Sequence, residues 1–187
     1  MIGNIAAGLY GIPTAPVTNS FESIATLSVG AGGQANVEFT SIPSTYKHLQ
    51  IRGIIRTNRA LGYDTMKITA NGSTSYSAHQ VSGDGASAST GGNGSRTSID
   101  YNTIAGNNAT ASVFGGVVID ILDYANTTTN KTFRYLNGYD SNGSGYISLS
   151  SGALLSTSAI SSIKIEPQSG TLLQQYTTFA LYGLRDS

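Results

Sequence analysis

The sequence predicts an all-β fold, a β-sandwich of the jelly-roll kind, preceded by an extended N-terminal arm. Three observations point there. Apolar residues recur with a period of two in about nine or ten short segments. Clusters of Gly, Asn, Asp and Ser separate those segments. No segment sustains a helical period. With 187 residues the chain is long enough for one domain with a sizeable core. It divides into an arm over 1–19 and a sandwich domain over 20–187.

The arm is set apart by mixing Ile2, Ile5, Leu9, Tyr10 and Ile12 with Gly3, Gly8 and Gly11 ahead of Pro13 and Pro16. A segment of this kind cannot bury its own apolar side chains, and the prolines favour an extended path. Folding back over its own domain is one outcome. The reading favoured here is docking onto a neighbouring subunit, which would hide those five side chains from water.

Strand patterning begins at Phe21, with Phe21, Ala25, Leu27 and Val29 expected on one face and Val37 and Phe39 repeating the pattern after the Gly30–Gly33 turn. Lys47 to Thr57 gives the clearest strand. Leu49, Ile51, Gly53 and Ile55 share its core face, while Gln50, Arg52, Ile54 and Arg56 share a face that is largely wet. Met66, Ile68 and Ala70 alternate with polar residues up to Asn71-Gly72, a dipeptide suited to a type I′ hairpin turn. Ser82 to Arg96, rich in Gly and Ser, is expected to be a long surface loop, since ordering it would cost chain entropy with little burial in return. A second block of strands is expected from Val113 through Val117, Ile119 and Ile121, at Phe133, Tyr135 and Leu136, at Tyr146–Ser150, at Ile160–Ile165 and at Tyr176–Leu184.

Composition narrows function. Only 11% of residues are charged, and ten Lys and Arg balance ten Asp and Glu without a basic cluster, so no nucleic-acid partner is expected. No stretch approaches membrane-spanning length, and the first residues fit a signal peptide poorly. The absence of Cys removes disulfides and thiolate metal sites. His48 and His79 lack companion motifs, and Asp120 and Asp123, at an odd separation in a strand, should point to opposite faces. No catalytic residue, cofactor or metal ligand is therefore assigned. Asp120 is expected either to pair with Arg52, Arg56 or Arg134 or to be solvated. Asp140-Ser141-Asn142-Gly143-Ser144-Gly145 mimics the start of a calcium loop, but Ser151 stands where the bidentate Glu would be, which favours a plain Asn-Gly hairpin. Tyr76, Tyr101, Tyr139 and Tyr146 could stack on sugars or simply pack.

Several segments resemble a module that recurs in virion proteins of tailed bacteriophages, notably marine and cyanobacterial ones. They are Phe21-Glu22-Ser23-Ile24-Ala25, the run from Phe39 to Gly53, the run Val118-Ile119-Asp120-Ile121-Leu122-Asp123-Tyr124-Ala125-Asn126, and Phe179-Ala180-Leu181-Tyr182-Gly183. The resemblance spans about Ser20 to Leu184 and implies a non-enzymatic particle component, located in the virion and assembled in the host cytoplasm. A capsid decoration, or cement, protein on the head exterior is the expected role. The alternative is a short tail fibre or receptor-binding subunit. The partners implied are further copies of the chain, with a trimer as first guess, and the major capsid protein or other virion proteins.

Overall fold

In the computed structural model, residues 20–185 are described, and every helix or strand among them is a strand. The segment 1–19, with Ile2, Ile5, Leu9, Tyr10 and Ile12, lies outside the described residues. In chain order the strands are β1 (Phe21–Ser28), β2 (Val37–Phe39), β3 (His48–Ile55), β4 (Tyr63–Asp64), β5 (Met66–Ala70), β6 (Tyr76–Gly83) and β7 (Ala88–Arg96). There follow β8 (Ile104–Ala105), β9 (Gly115–Leu122), β10 (Lys131–Asp140), β11 (Gly145–Leu154), β12 (Ile163–Pro167) and β13 (Thr178–Leu184).

These strands build a β-sandwich of unequal layers. One antiparallel sheet has eight strands in the order β1-β13-β3-β9-β10-β11-β6-β7, and a three-stranded sheet, β2-β12-β5, faces it. A two-stranded ribbon, β4-β8, completes the set. The chain crosses repeatedly between the layers because strands with one apolar face must meet another apolar face to leave water. Leu49, Ile51, Ile119, Ile121, Phe133 and Phe179 supply the large sheet's half of the core. Val37, Phe39, Met66, Ile68, Ile163 and Ile165 supply the other half. The core face expected for Leu49, Ile51 and Ile55 is thus observed, all three being fully buried.

Four local expectations are corrected. The Asn71-Gly72 turn forms, with φ of 51° and 64° and a Ser73 N–H to Ala70 carbonyl bond of 3.0 Å. It does not close a hairpin, because β5 pairs with β12 while β6 pairs with β11 and β7. The turn carries the chain from one layer to the other. Second, Ser82–Arg96 is not a loop: a tight turn at Asp84–Ser87 leads into β7, which pairs along β6 as the sheet's edge. Main-chain ladder bonds need no apolar side chains, and an edge strand tolerates glycine. At Gly92 the missing side chain makes room for the His79 ring, which a Cβ there would displace. Third, a bulge between Ser23 and Ala25 turns Phe21 to the outer face, against Tyr182 at 4.8 Å between ring centroids, while Ala25 and Leu27 partner the core residues Leu181 and Phe179. One extra residue inverts the facing that follows it. Fourth, Arg56 is not on the wet face. It is 6% exposed and donates to the carbonyls of Asn107, Ala109, Thr110 and Val113 at 2.7–2.9 Å.

Candidate functional site

The outer face of the eight-stranded sheet has no layer over it among the described residues. Residues paired directly across an antiparallel ladder lie on the same face, so the registers convert this surface into rows. One row is polar: Gln50, Asp120, Arg134, Ser151 and His79. Gln50 Nε2 donates to Asp120 Oδ1 at 2.7 Å, and Arg134 donates to Oδ2 at 2.9 Å. Of the partners foreseen for Asp120, Arg134 is the one in contact.

The next row, two residues along each strand, is aliphatic from β9 to β6, with Arg52 as its member on β3. Val118, Leu136, Leu149 and Val81 stand side by side on β9, β10, β11 and β6. Leu136, Leu149 and Val81 are each about half exposed, at 48%, 50% and 48%. Beyond it, the third row reads Ile54, Gly116, Gly138, Ile147 and Gly83. Three glycines in one row leave the sheet without side chains there, and Ile54 and Ile147 rise from it at 48% and 61% exposure. The hairpin turns β6–β7 and β10–β11 bound the far side, giving an open trough of about 850 Å³. A sheet facing water should alternate toward polar side chains, so two consecutive rows with exposed aliphatic residues call for a partner.

Alternation in β11 would send Ile147 and Leu149 inward and Ser148 and Ser150 outward. The structure does the reverse: Ser148 and Ser150 are 1% and 3% exposed. The cause lies in the cover over that end of the inner face. There the irregular segment from Ser98 to Thr103, bridged to β5 at Ile68 and Ile99, stands where a fourth strand of the small sheet would be, and irregular backbone needs hydrogen-bonding partners. Ser150 Oγ donates to the Tyr101 carbonyl at 2.6 Å, and Asn137 Nδ2 to the Thr103 carbonyl at 2.6 Å. Ser150 and Asn137 thus hold inner positions as donors to that segment, Ser148 follows them inward by alternation with its Oγ unpartnered among the described residues, and the aliphatic residues are left outside.

The titratable residues considered from sequence are dispersed. His48 Nδ1 accepts the Asp123 amide N–H at 3.0 Å, which fixes the turn after β9, and the His79 ring lies over Gly92 on the outer face. Asp120 sits in the polar row, whereas Asp123 pairs with Lys47 beyond the end of β9. Asp140 caps its own hairpin by accepting the Asn142 and Gly143 amides. No group of three or more His, Asp or Glu converges as metal ligands among the described residues. Tyr76 is buried with its hydroxyl on the Ala70 amide, and Tyr101 lies beneath Arg96. Tyr139 and Tyr146 stack loosely with Tyr63, which the sequence reading did not single out.

Electrostatics along the polar row make a pH expectation. Burial raises the Asp120 carboxyl, but hydrogen bonds from Gln50 and Arg134 outweigh it and hold the group below the usual carboxylate range. Glu166 is held low in the same way by Lys164 and Lys67. A lowered folded-state value means stability that is complete above the unfolded value of about 4 and is lost as the pH falls below it. The urea midpoint is therefore expected to fall below about pH 4, and Asp120→Asn should remove part of that fall. An Asp120→Asn profile identical to the parent's would contradict this.

No family model, curated protein or solved structure matches the chain.

Proposed function

We propose that the chain is a non-enzymatic structural subunit of a bacteriophage particle, acting as a capsid decoration, or cement, protein on the head exterior. The observation that carries this reading is the outer sheet face, where a rigid sandwich holds two rows with exposed aliphatic side chains toward a partner. The sequence resemblance to phage virion modules supplies the particle, and the major capsid protein and further copies of the chain are the partners it implies. The nearly neutral surface, 11% charged with zero formal net charge, offers little repulsion between copies.

The second reading is a short tail fibre or receptor-binding subunit, and the half-exposed cluster of Tyr63, Tyr139 and Tyr146 favours it, since tyrosine rings can stack on host glycans. Copy number separates the two. Quantitative mass spectrometry of purified particles is expected to find the chain at hundreds of copies per particle; a handful would favour the tail, and none would remove the particle reading. In isolation the protein is expected to be a homo-oligomer, with a trimer as the first guess. Light scattering that gives a concentration-independent 19.3 kDa would contradict it.

A further inference from the structure

We propose that the glycine-floored trough on the outer face receives the N-terminal segment, residues 1–19, of a neighbouring copy of the same chain. This deepens the structural-subunit reading and rests on it for self-association. The trough reaches from β3 to β6, four strand spacings or about 19 Å, the length of an extended chain of about six residues, with Gly116 and Gly138 side by side on its floor and Ile54 and Ile147 of the same row standing to either side of them. Its wall is formed by Val118 and Leu136, with Arg52 beside Val118 at the β3 end turned toward Gln50, Phe21 and Tyr182, and its floor at Gly116 and Gly138 lacks side chains, so another backbone can lie close.

The N-terminal segment has the matching chemistry. Residues 1–20 include no Asp, Glu, Lys or Arg, so none of their side chains needs a charged partner. Gly3, Gly8 and Gly11 keep the segment thin, Ile2, Ile5, Leu9 and Ile12 supply apolar contacts, and Pro13 and Pro16 favour an extended path. The carboxylates nearest the trough, Asp84 and Asp140, already accept amides of their own turns and do not call for a cationic ligand. Length is sufficient as well: residues 13–19 alone span up to about 23 Å, which leaves residues 2–12 to lie across the trough.

The direction of β1 favours the neighbour over the chain's own trough. Phe21 pairs with Leu184 at the sheet end that carries His48, and β1 then runs toward Ser28, opposite Thr178, at the trough end. Residues before Phe21 therefore enter from the far end. A segment seated in its own trough would have to turn back before Phe21 and run the length of the sheet past Ser23, Thr26 and Thr178, whereas the direction of β1 points what precedes it away from that trough.

The test uses the full-length chain, whose lack of cysteine makes site-specific cross-linking clean. A Leu9→Cys, Leu136→Cys double variant, treated with a short bismaleimide, is expected to give a ladder at multiples of 19.3 kDa. The control, Leu9→Cys with Thr127→Cys on the exposed turn between β9 and β10, should give no more than background. A third variant adds Gly116→Leu. A Cβ at Gly116 meets nothing within 4 Å and its φ is an ordinary strand value, so leucine fills the trough without straining the sheet. Its melting temperature should be at or above the parent's, because glycine weakens a strand, while the ladder falls at least tenfold. A ladder equal to the control's, a product linked only within one chain, or a ladder that survives Gly116→Leu in a folded protein would each overturn the proposal. The copy number in particles tests the subunit reading independently, so either can fail alone.

Discussion

Replacing Arg56 by Met is expected to cost about 3–5 kcal/mol of folding stability and to lower the melting temperature by on the order of 10 °C. Among the described residues its guanidinium and the Lys131 ammonium belong to the buried cations, and no described carboxylate pairs with Arg56. Four carbonyl oxygens do so instead: those of Thr110 and Val113 on one terminal nitrogen, and those of Asn107 and Ala109 on the other. Burial draws the guanidinium below its ordinary pKa, yet it stays protonated at any physiological pH. Methionine fills the space and leaves those carbonyls without donors. Arg56→Lys keeps the charge but loses the planar fork, so it should fall between the two. The effect extends toward the candidate interaction face, because Thr110 of this loop accepts from and donates to Ser141 in the β10–β11 hairpin that bounds the trough. Denaturation followed by circular dichroism measures the loss, and amide exchange should quicken over residues 107–113. An Arg56→Met protein within 1 kcal/mol of the parent, about the cost of an ordinary hydrogen bond, would refute the pinning role.

A comparable loss, about 3–4 kcal/mol, is expected for Asp64→Ala. Asp64 is fully buried, and its two oxygens collect the Thr57 hydroxyl and the amides of Thr65, Ser169 and Gly170 at 2.7–3.2 Å. Arg59 approaches to 3.7 Å. The carboxylate thereby joins the end of β4 to the turn after β12, segments more than 100 residues apart. Alanine strands all four donors. Asparagine, isosteric but with a single acceptor oxygen, should cost roughly half as much. Gly170 takes part by lacking a side chain, since a Cβ there would crowd Asn58 Oδ1 and Asp64 Oδ2 at 2.9 and 3.0 Å. Urea melts of the two variants give the comparison, and an Asp64→Ala midpoint equal to the parent's would show that these donors find water instead.

Neither residue announces itself in the sequence. Arg56 reads as a polar member of an alternating strand, and no motif around Asp64 singles it out. Both gain their roles from backbone groups that are distant in sequence, which no local pattern encodes.

The sequence by itself determined the all-β class, the core face of β3 through Leu49, Ile51 and Ile55, the turns at Asn71-Gly72 and Asn142-Gly143, and the sparse charge that leaves the surface neutral. These follow from side-chain period, from which residues accept positive φ, and from composition, all of them local properties. Tertiary structure decided the rest. Whether Asn71-Gly72 closes a hairpin or passes the chain between layers depends on which strands pair. Ser82–Arg96 becomes a strand because β6 offers its edge, a gain that local entropy arguments do not contain. The bulge at the start of β1 turned Phe21 outward. Most consequential for function, β11 turns Ser148 and Ser150 inward and Ile147 and Leu149 outward: an irregular segment covers that end of the core, and Ser150 donates to its Tyr101 carbonyl. Period two says only that alternate residues share a face; the layer that packs against the sheet decides which face is buried.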